Sequence, residues 1–102
     1  MQTGNPNRRR APRAKVSQPV RVRPLDSNCR GEVCTTLNVS RTGLYFATSV
    51  GHYFAGMDVN VTRNFQPDDP TNREEPANVV RVDKLRSGKW GVAIRIIMRD
   101  TN

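Results

Sequence analysis

Two short stretches of the sequence carry side chains able to grip an anionic, hydrogen-bonding ligand. In NRRRAPRAKV, residues 7–16, Arg9 and Arg13 stand four positions apart. On an extended chain such residues share one side and lie roughly 13 Å apart, since each residue adds about 3.3 Å; a turn at Pro12 shortens that span. A guanidinium is a planar fork that pairs bidentately with phosphate oxygens or with the O6/N7 edge of guanine. Lysine supplies the charge without the fork. Taken alone, the pair fits a non-specific basic tail equally well. In LNVSRTGLYF, residues 37–46, Asn38 and Ser40 are two positions apart and so share one face of a strand, opposite Leu37 and Val39. Asn offers a donor and an acceptor to the edge of a base, and the Ser hydroxyl serves a base or a phosphate. Gly43 permits close approach of the backbone or a positive φ. Ordinary turn chemistry, with Asn and Ser bonded to local backbone and Gly completing the bend, explains the same residues.

The bulk properties restrict what such groups serve. A chain of 102 residues is one domain at most. Its hydrophobic fraction of 35% and mean hydropathy of −0.68 are low, and residues 1–15 contribute most of the deficit. The net charge is +8, and Arg8, Arg9, Arg10, Arg13, Lys15, Arg21 and Arg23 all precede the first acid, Asp26. A basic leader on a near-neutral body points to a phosphate-bearing ligand, a nucleic acid or an anionic membrane, or else to a solvated tail. Cys29 and Cys34 are five apart, on opposite faces if the segment is extended, which argues against a disulfide between them. Two thiols and a single histidine, His52, do not make a zinc site. With no nucleophile–base pair, metal cluster or carboxylate partner for His52, the chain reads as a non-enzyme needing no cofactor. The N-terminus lacks the apolar run of a secretory signal, and no segment is long enough to span a bilayer. A reducing cytoplasm fits these features, and the sequons at Asn38 and Asn60 then carry no glycan.

The elements that must position these groups are strands. Residues 1–13 read as a flexible basic arm, with Pro6 and Pro12 opposing a helix. From Val16 onward the period is two. Val20 and Val22 alternate with Arg21 and Arg23. Val33, Thr35, Leu37 and Val39 alternate with Cys34, Thr36, Asn38 and Ser40, and Leu44 and Phe46 follow the turn at Gly43. Met57, Val59, Val61 and Phe65 alternate with Asp58, Asn60, Thr62 and Asn64. After the polar loop QPDDPTNREEP comes Ala77 to Leu85, then the turn RSGKW and a last strand with Trp90, Val92, Ile94, Ile96 and Met98 on one face. Six short strands divided by turns predict an all-β domain over residues 14–98, a small antiparallel barrel or sandwich. Closure hides the sheet edges. Residues 99–102 form a short tail.

In this order the two motifs resemble the signature of the PilZ domain family, receptors for the bacterial second messenger cyclic di-GMP. The family places R-x-x-x-R ahead of the first strand and [D/N]-x-S-x-x-G after the second; here these read RRAPR, Arg9 to Arg13, and NVSRTG, Asn38 to Gly43. QPVRV looks like the family's first strand and ANVVRVDKLRSGKWGVAIRI like its last hairpin, so the resemblance covers nearly the whole chain. It implies a six-stranded antiparallel β-barrel with the ligand on its outer surface. Arg9 and Arg13 are then expected to bind phosphate and guanine, and Asn38, Ser40 and Gly43 to form the opposite wall. Asn38 stands where Asp is commoner; its amide accepts with one oxygen where a carboxylate has two, which weakens its hold on guanine N1–H and N2–H. The helix that often follows the last strand in the family is expected to be absent or very short.

The resemblance leads to a stand-alone cyclic di-GMP receptor or adaptor, in which the arm orders over the ligand and creates a surface for a partner protein. Arg8 either assists a stacked pair of ligand molecules or is solvated, and Arg41 is expected near the site. Two readings compete. A single-stranded nucleic-acid module of OB or cold-shock type needs aromatics presented on one strand face, from a supply of Tyr45, Tyr53, Phe46, Phe54, Phe65 and Trp90. A PilZ-like scaffold that has lost its ligand binds protein alone.

Overall fold

A computed structural model describes residues 17–26 and 28–98. The leader read as an arm, including Arg8, Arg9 and Arg13, and the tail 99–102 lie outside the described residues. Six strands follow one another: β1 (Pro19–Pro24), β2 (Glu32–Val39), β3 (Gly43–Thr48), β4 (Asp58–Arg63), β5 (Glu75–Lys84) and β6 (Trp90–Ile96). Every pairing is antiparallel, in the order β1-β2-β3-β6-β5-β4, and β4 pairs back onto β1 to close a barrel. No helix occurs among the described residues. The expected six-stranded barrel is therefore what the chain forms.

Alternation explains the core. Val20 and Val22 of β1, Leu44 and Phe46 of β3, Val59 and Val61 of β4, Ala77 and Val79 of β5, and Val92, Ile94 and Ile96 of β6 all point inward and are buried. A six-stranded barrel has a narrow lumen, and β-branched side chains fill it without long rotamers. Phe46 is its largest fully buried member and meets Tyr53 edge-on, with ring centroids 5.7 Å apart.

Strand β2 departs from the expected facing. Val20 and Val22 point inward and pair with Cys34 and Glu32, so those two also point inward, and Thr36, opposite Phe46, is fully buried. Val33 and Leu37, which the alternation sets on one face with Val39, are 55% and 47% exposed, while Val39 packs against the core. The register then slips between Thr36 and Asn38, leaving Leu37 as the extra residue of a bulge; Asn38 pairs with Tyr45 and Val39 with Leu44. One inserted residue reverses the phase of everything after it. The alternation read from the sequence thus holds within residues 33–37 and again within 38–40, but its phase reverses between the two, so Val39 does not share the face of Val33, Thr35 and Leu37.

Turning Glu32 inward is possible because it is met by donors. Thr48 Oγ1 bonds both its carboxylate oxygens, at 3.1 and 3.0 Å, and the Tyr53 hydroxyl donates to it at 2.7 Å. Cys34 lies beside this carboxylate. Burial first, then the Glu32 charge and hydrogen bond, push its thiol up to about 12. Cys29 lies in the β1–β2 connection, with its N–H bonded to Asp26 O at 3.0 Å. Both cysteines are free and pack against the core, rather than on opposite faces of one extended strand.

The sign of the resulting pH effect is fixed. A thiol harder to ionise in the fold contributes stability that is fully present below its unfolded value, near 9, and is lost as pH rises through its folded value, about 12. Tyr53, also raised by burial and by Glu32, acts in the same direction. Denaturation midpoints are expected to fall steadily above about pH 9, and less steeply in Cys34→Ala. An identical alkaline slope in that variant would remove Cys34 from the account.

Candidate ligand-binding site

The site begins with the small residues of β6. This strand runs between β3 and β5, and its outward positions Gly91, Ala93 and Arg95 pair with Ala47, Tyr45 and Gly43 of β3. Small side chains at 91 and 93 leave a trough on the outer wall. A concavity of about 430 Å³ opens there, lined by Asn38, Ser40, Gly43, Leu44, Tyr45, Arg81 and Ala93. Three of the residues singled out in the sequence, Asn38, Ser40 and Gly43, therefore come together on one surface.

Gly43 is required by close approach. A Cβ there would stand 2.7 Å from the Ile94 carbonyl oxygen, inside any tolerable contact. Its φ is not positive; among the described glycines only Gly56 and Gly88 have that geometry. The turn from Ser40 to Gly43 is closed by Ser40 N–H donating to Gly43 O at 2.8 Å, and Thr42 O accepts from Ile96 N–H at 2.8 Å. The Ser40 hydroxyl makes a long 3.4 Å bond to Gly43 O, leaving it easily recruited by a ligand. Among the described residues the Asn38 side chain has no hydrogen-bond partner, so its amide is not spent on the turn.

Arg63 holds this turn from the far side. Its Nε and Nη2 bond the two carboxylate oxygens of Glu75 at 2.8 and 2.9 Å, and its Nη1 donates to Arg41 O at 3.2 Å. Arg41 itself is exposed and does not line the cavity; its backbone is what the turn uses. Arg63→Ala is expected to cost about 1 kcal/mol, the scale of a half-exposed charged pair, and to shift the amide signals of residues 41–43. Arg63→Lys should not restore them, because lysine cannot serve Glu75 and the carbonyl together. Unmoved amides in Arg63→Ala would show that the turn stands without it.

Arg8, Arg9 and Arg13 lie outside the described residues; near the start of those residues, Gln18 is bonded to β2 two positions before Asn38. Gln18 N–H donates to Thr36 Oγ1, and Thr36 N–H to Gln18 O, both at 3.0 Å.

Sequence reasoning missed Arg81, and Tyr45 was noted only as an aromatic. The signal was the run Val79-Val80-Arg81-Val82, in which alternation breaks. Pairing to β6 shifts between Val79 and Arg81, so that Val79 meets inward Ile94 and Arg81 meets outward Ala93. Among the described residues, Arg81 is the one cation lining the cavity.

The family model of the PilZ domain matches residues 7–102. The chain belongs to the PilZ domain family. PilZ domains are cyclic di-GMP receptors and adaptors rather than enzymes, and the matched span contains both motifs, Arg9 to Arg13 and Asn38 to Gly43. No curated protein matches the chain. Among solved structures it is similar to that of the Bacillus subtilis inhibitor of motility (MotI/DgrA), with a TM-score of 0.65 and 20% identity over 87% of this chain. The alignment covers 42% of the length of that protein, and the likeness is one of fold. No helix among the described residues of this PilZ chain is long and apolar enough to cross a membrane.

Proposed function

We propose that this PilZ domain binds cyclic di-GMP between its N-terminal arginines and the outer wall formed by Asn38, Ser40 and Gly43, and that closure of the arm creates a surface read by a partner protein. The supporting observation is one juxtaposition: an uncommitted Asn38 amide and a loosely held Ser40 hydroxyl border a cavity on β2, the strand to which Gln18 is bonded at Thr36. The ligand carries two phosphate charges and two guanines, which suits guanidinium forks opposite a neutral polar wall. Arg8 serves a second, stacked ligand molecule. The setting is a reducing cytoplasm, where Cys29 and Cys34 remain thiols.

Magnitudes show why both halves are needed. Two bidentate forks make about four charge-assisted bonds, together roughly 6–12 kcal/mol. Fixing the backbone of residues 9–13 costs about 5–10 kcal/mol. The arm alone is therefore close to break-even, and contacts on the barrel wall decide the affinity. Calorimetry with cyclic di-GMP, using GTP and a short oligonucleotide as controls, tests the reading. Saturable binding of the cyclic dinucleotide alone supports it, and two molecules per chain support the role of Arg8. Steeply salt-dependent oligonucleotide binding without a cyclic di-GMP response would replace it with a nucleic-acid module.

A further inference from the structure

We propose that Arg81 is a third ligand-binding guanidinium of this site, aimed by Asp83 and backed by the ring of Tyr45; this rests on the cyclic di-GMP reading above. Three observations converge on it. The bulge at Val80 turns Arg81 to the outer wall, where it lines the cavity that also contains Asn38 and Ser40. Asp83 holds Arg81 through Nε, which lies 3.1 Å from both carboxylate oxygens. Asp83's bonds to Arg81 use Nε and leave the Nη1/Nη2 edge, the edge that pairs with phosphate, to the ligand. Tyr45 completes the support, its hydroxyl donating to Asp83 Oδ2 at 3.1 Å and its ring lying 5.8 Å from the Arg81 guanidinium carbon.

The sequence is arranged to allow this reach. Tyr45 stands on β3 and Asp83 on β5, with β6 between them. The Tyr45 side chain crosses β6 over Gly91, where a Cβ would collide with the Tyr45 hydroxyl and ring. Arg81 remains 58% exposed. An ion pair this exposed adds little to folding, so its consequence is orientation: a cation kept from wandering on its long stem meets the ligand with less side-chain entropy to lose. Burial and then the bond to Asp83 make the Tyr45 hydroxyl harder to ionise than an ordinary tyrosine.

Titration calorimetry of the full chain with cyclic di-GMP at fixed salt provides the test, using wild type, Arg81→Gln, Arg81→Lys and Asp83→Ala. Arg81→Gln is expected to weaken binding about tenfold or more, the scale of a lost charge-assisted contact. Arg81→Lys should recover little, because lysine has no Nε–H for Asp83 to grip while its charge faces the ligand. Asp83→Ala should weaken binding about threefold, through aim alone. Melting temperatures should stay within about 2 °C of wild type, which separates a binding role from a structural one. Wild-type affinity in Arg81→Gln, with wild type itself binding, would overturn the inference and leave the receptor reading standing. Tighter binding in Asp83→Ala would make Asp83 a competitor for Arg81 and overturn its aiming role. No wild-type binding would remove both.

Discussion

Replacing Arg9 and Arg13 together by alanine should weaken cyclic di-GMP binding about tenfold or more, and each single change nearly as much. The argument is one of balance. The gain from the two forks exceeds the cost of fixing the arm by only about 1–2 kcal/mol, so losing either fork releases the arm and leaves a doubly charged ligand to the wall of Asn38, Ser40 and Gly43 and to Arg81. The melting temperature of the ligand-free protein should not move, because the barrel closes through β1–β4 pairing that begins only at Val20. Lysine at both positions tests geometry against charge. It keeps the net charge of +8 but loses bidentate pairing, and should recover only a small part of the affinity. The measurement is calorimetry, joined to amide spectra of Asn38 to Gly43. Ligand should shift those amides in wild type and leave them in place in the double alanine variant. Near-unchanged affinity in that variant would sink the assigned role of the arm.

Gly43→Ala should damage both stability and binding. The new methyl meets the Ile94 carbonyl oxygen at 2.7 Å, and that atom is backbone in a central strand, so no side chain can swing aside. Forcing β3 and β6 apart at this point costs about 1–3 kcal/mol, the usual price of overpacking, which in a domain of this size lowers the melting temperature by about 10 °C. The displacement also moves the turn out of reach of the Thr42–Ile96 and Arg63–Arg41 bonds. Affinity for cyclic di-GMP should therefore fall at least about tenfold even where the variant is fully folded. Thermal denaturation and calorimetry at low temperature report the two effects separately. A variant as stable as wild type would mean that the strands separate there without cost.

The positions of the strands were legible because alternation is a local property. Val59 and Val61, or Val92, Ile94 and Ile96, announce an inward face whatever they pack against. The order in which strands join was not legible from alternation. The neighbours β3 and β6, or β1 and β4, are distant in sequence; alternation left a barrel and a sandwich both open, and the family resemblance chose the barrel. The β2 facing did not follow from alternation for a specific reason. Val33 and Leu37 share a period-two face with Val39, but Glu32, Cys34 and Thr36 occupy the interior, where Thr48 and Tyr53 meet Glu32 and Gln18 meets Thr36. Those partners come from other strands and loops, so no local pattern reveals them.

The candidate site divides along the same line. Asn38, Ser40 and Gly43 were found because a short spacing within one turn is written in the chain itself. Arg81, Asp83 and Tyr45 were not assembled, because two bulges, at Leu37 and Val80, decide which of their neighbours face outward. By itself the sequence determined the strands, the turn at Gly43 and the clustering of positive charge ahead of Asp26. Only the tertiary structure decided the facing of residues 32–36, the cavity over Ala93 and the meeting of Arg81 with Tyr45. The physical reason is that a bulge is chosen by inter-strand pairing, and pairing energy belongs to two segments at once.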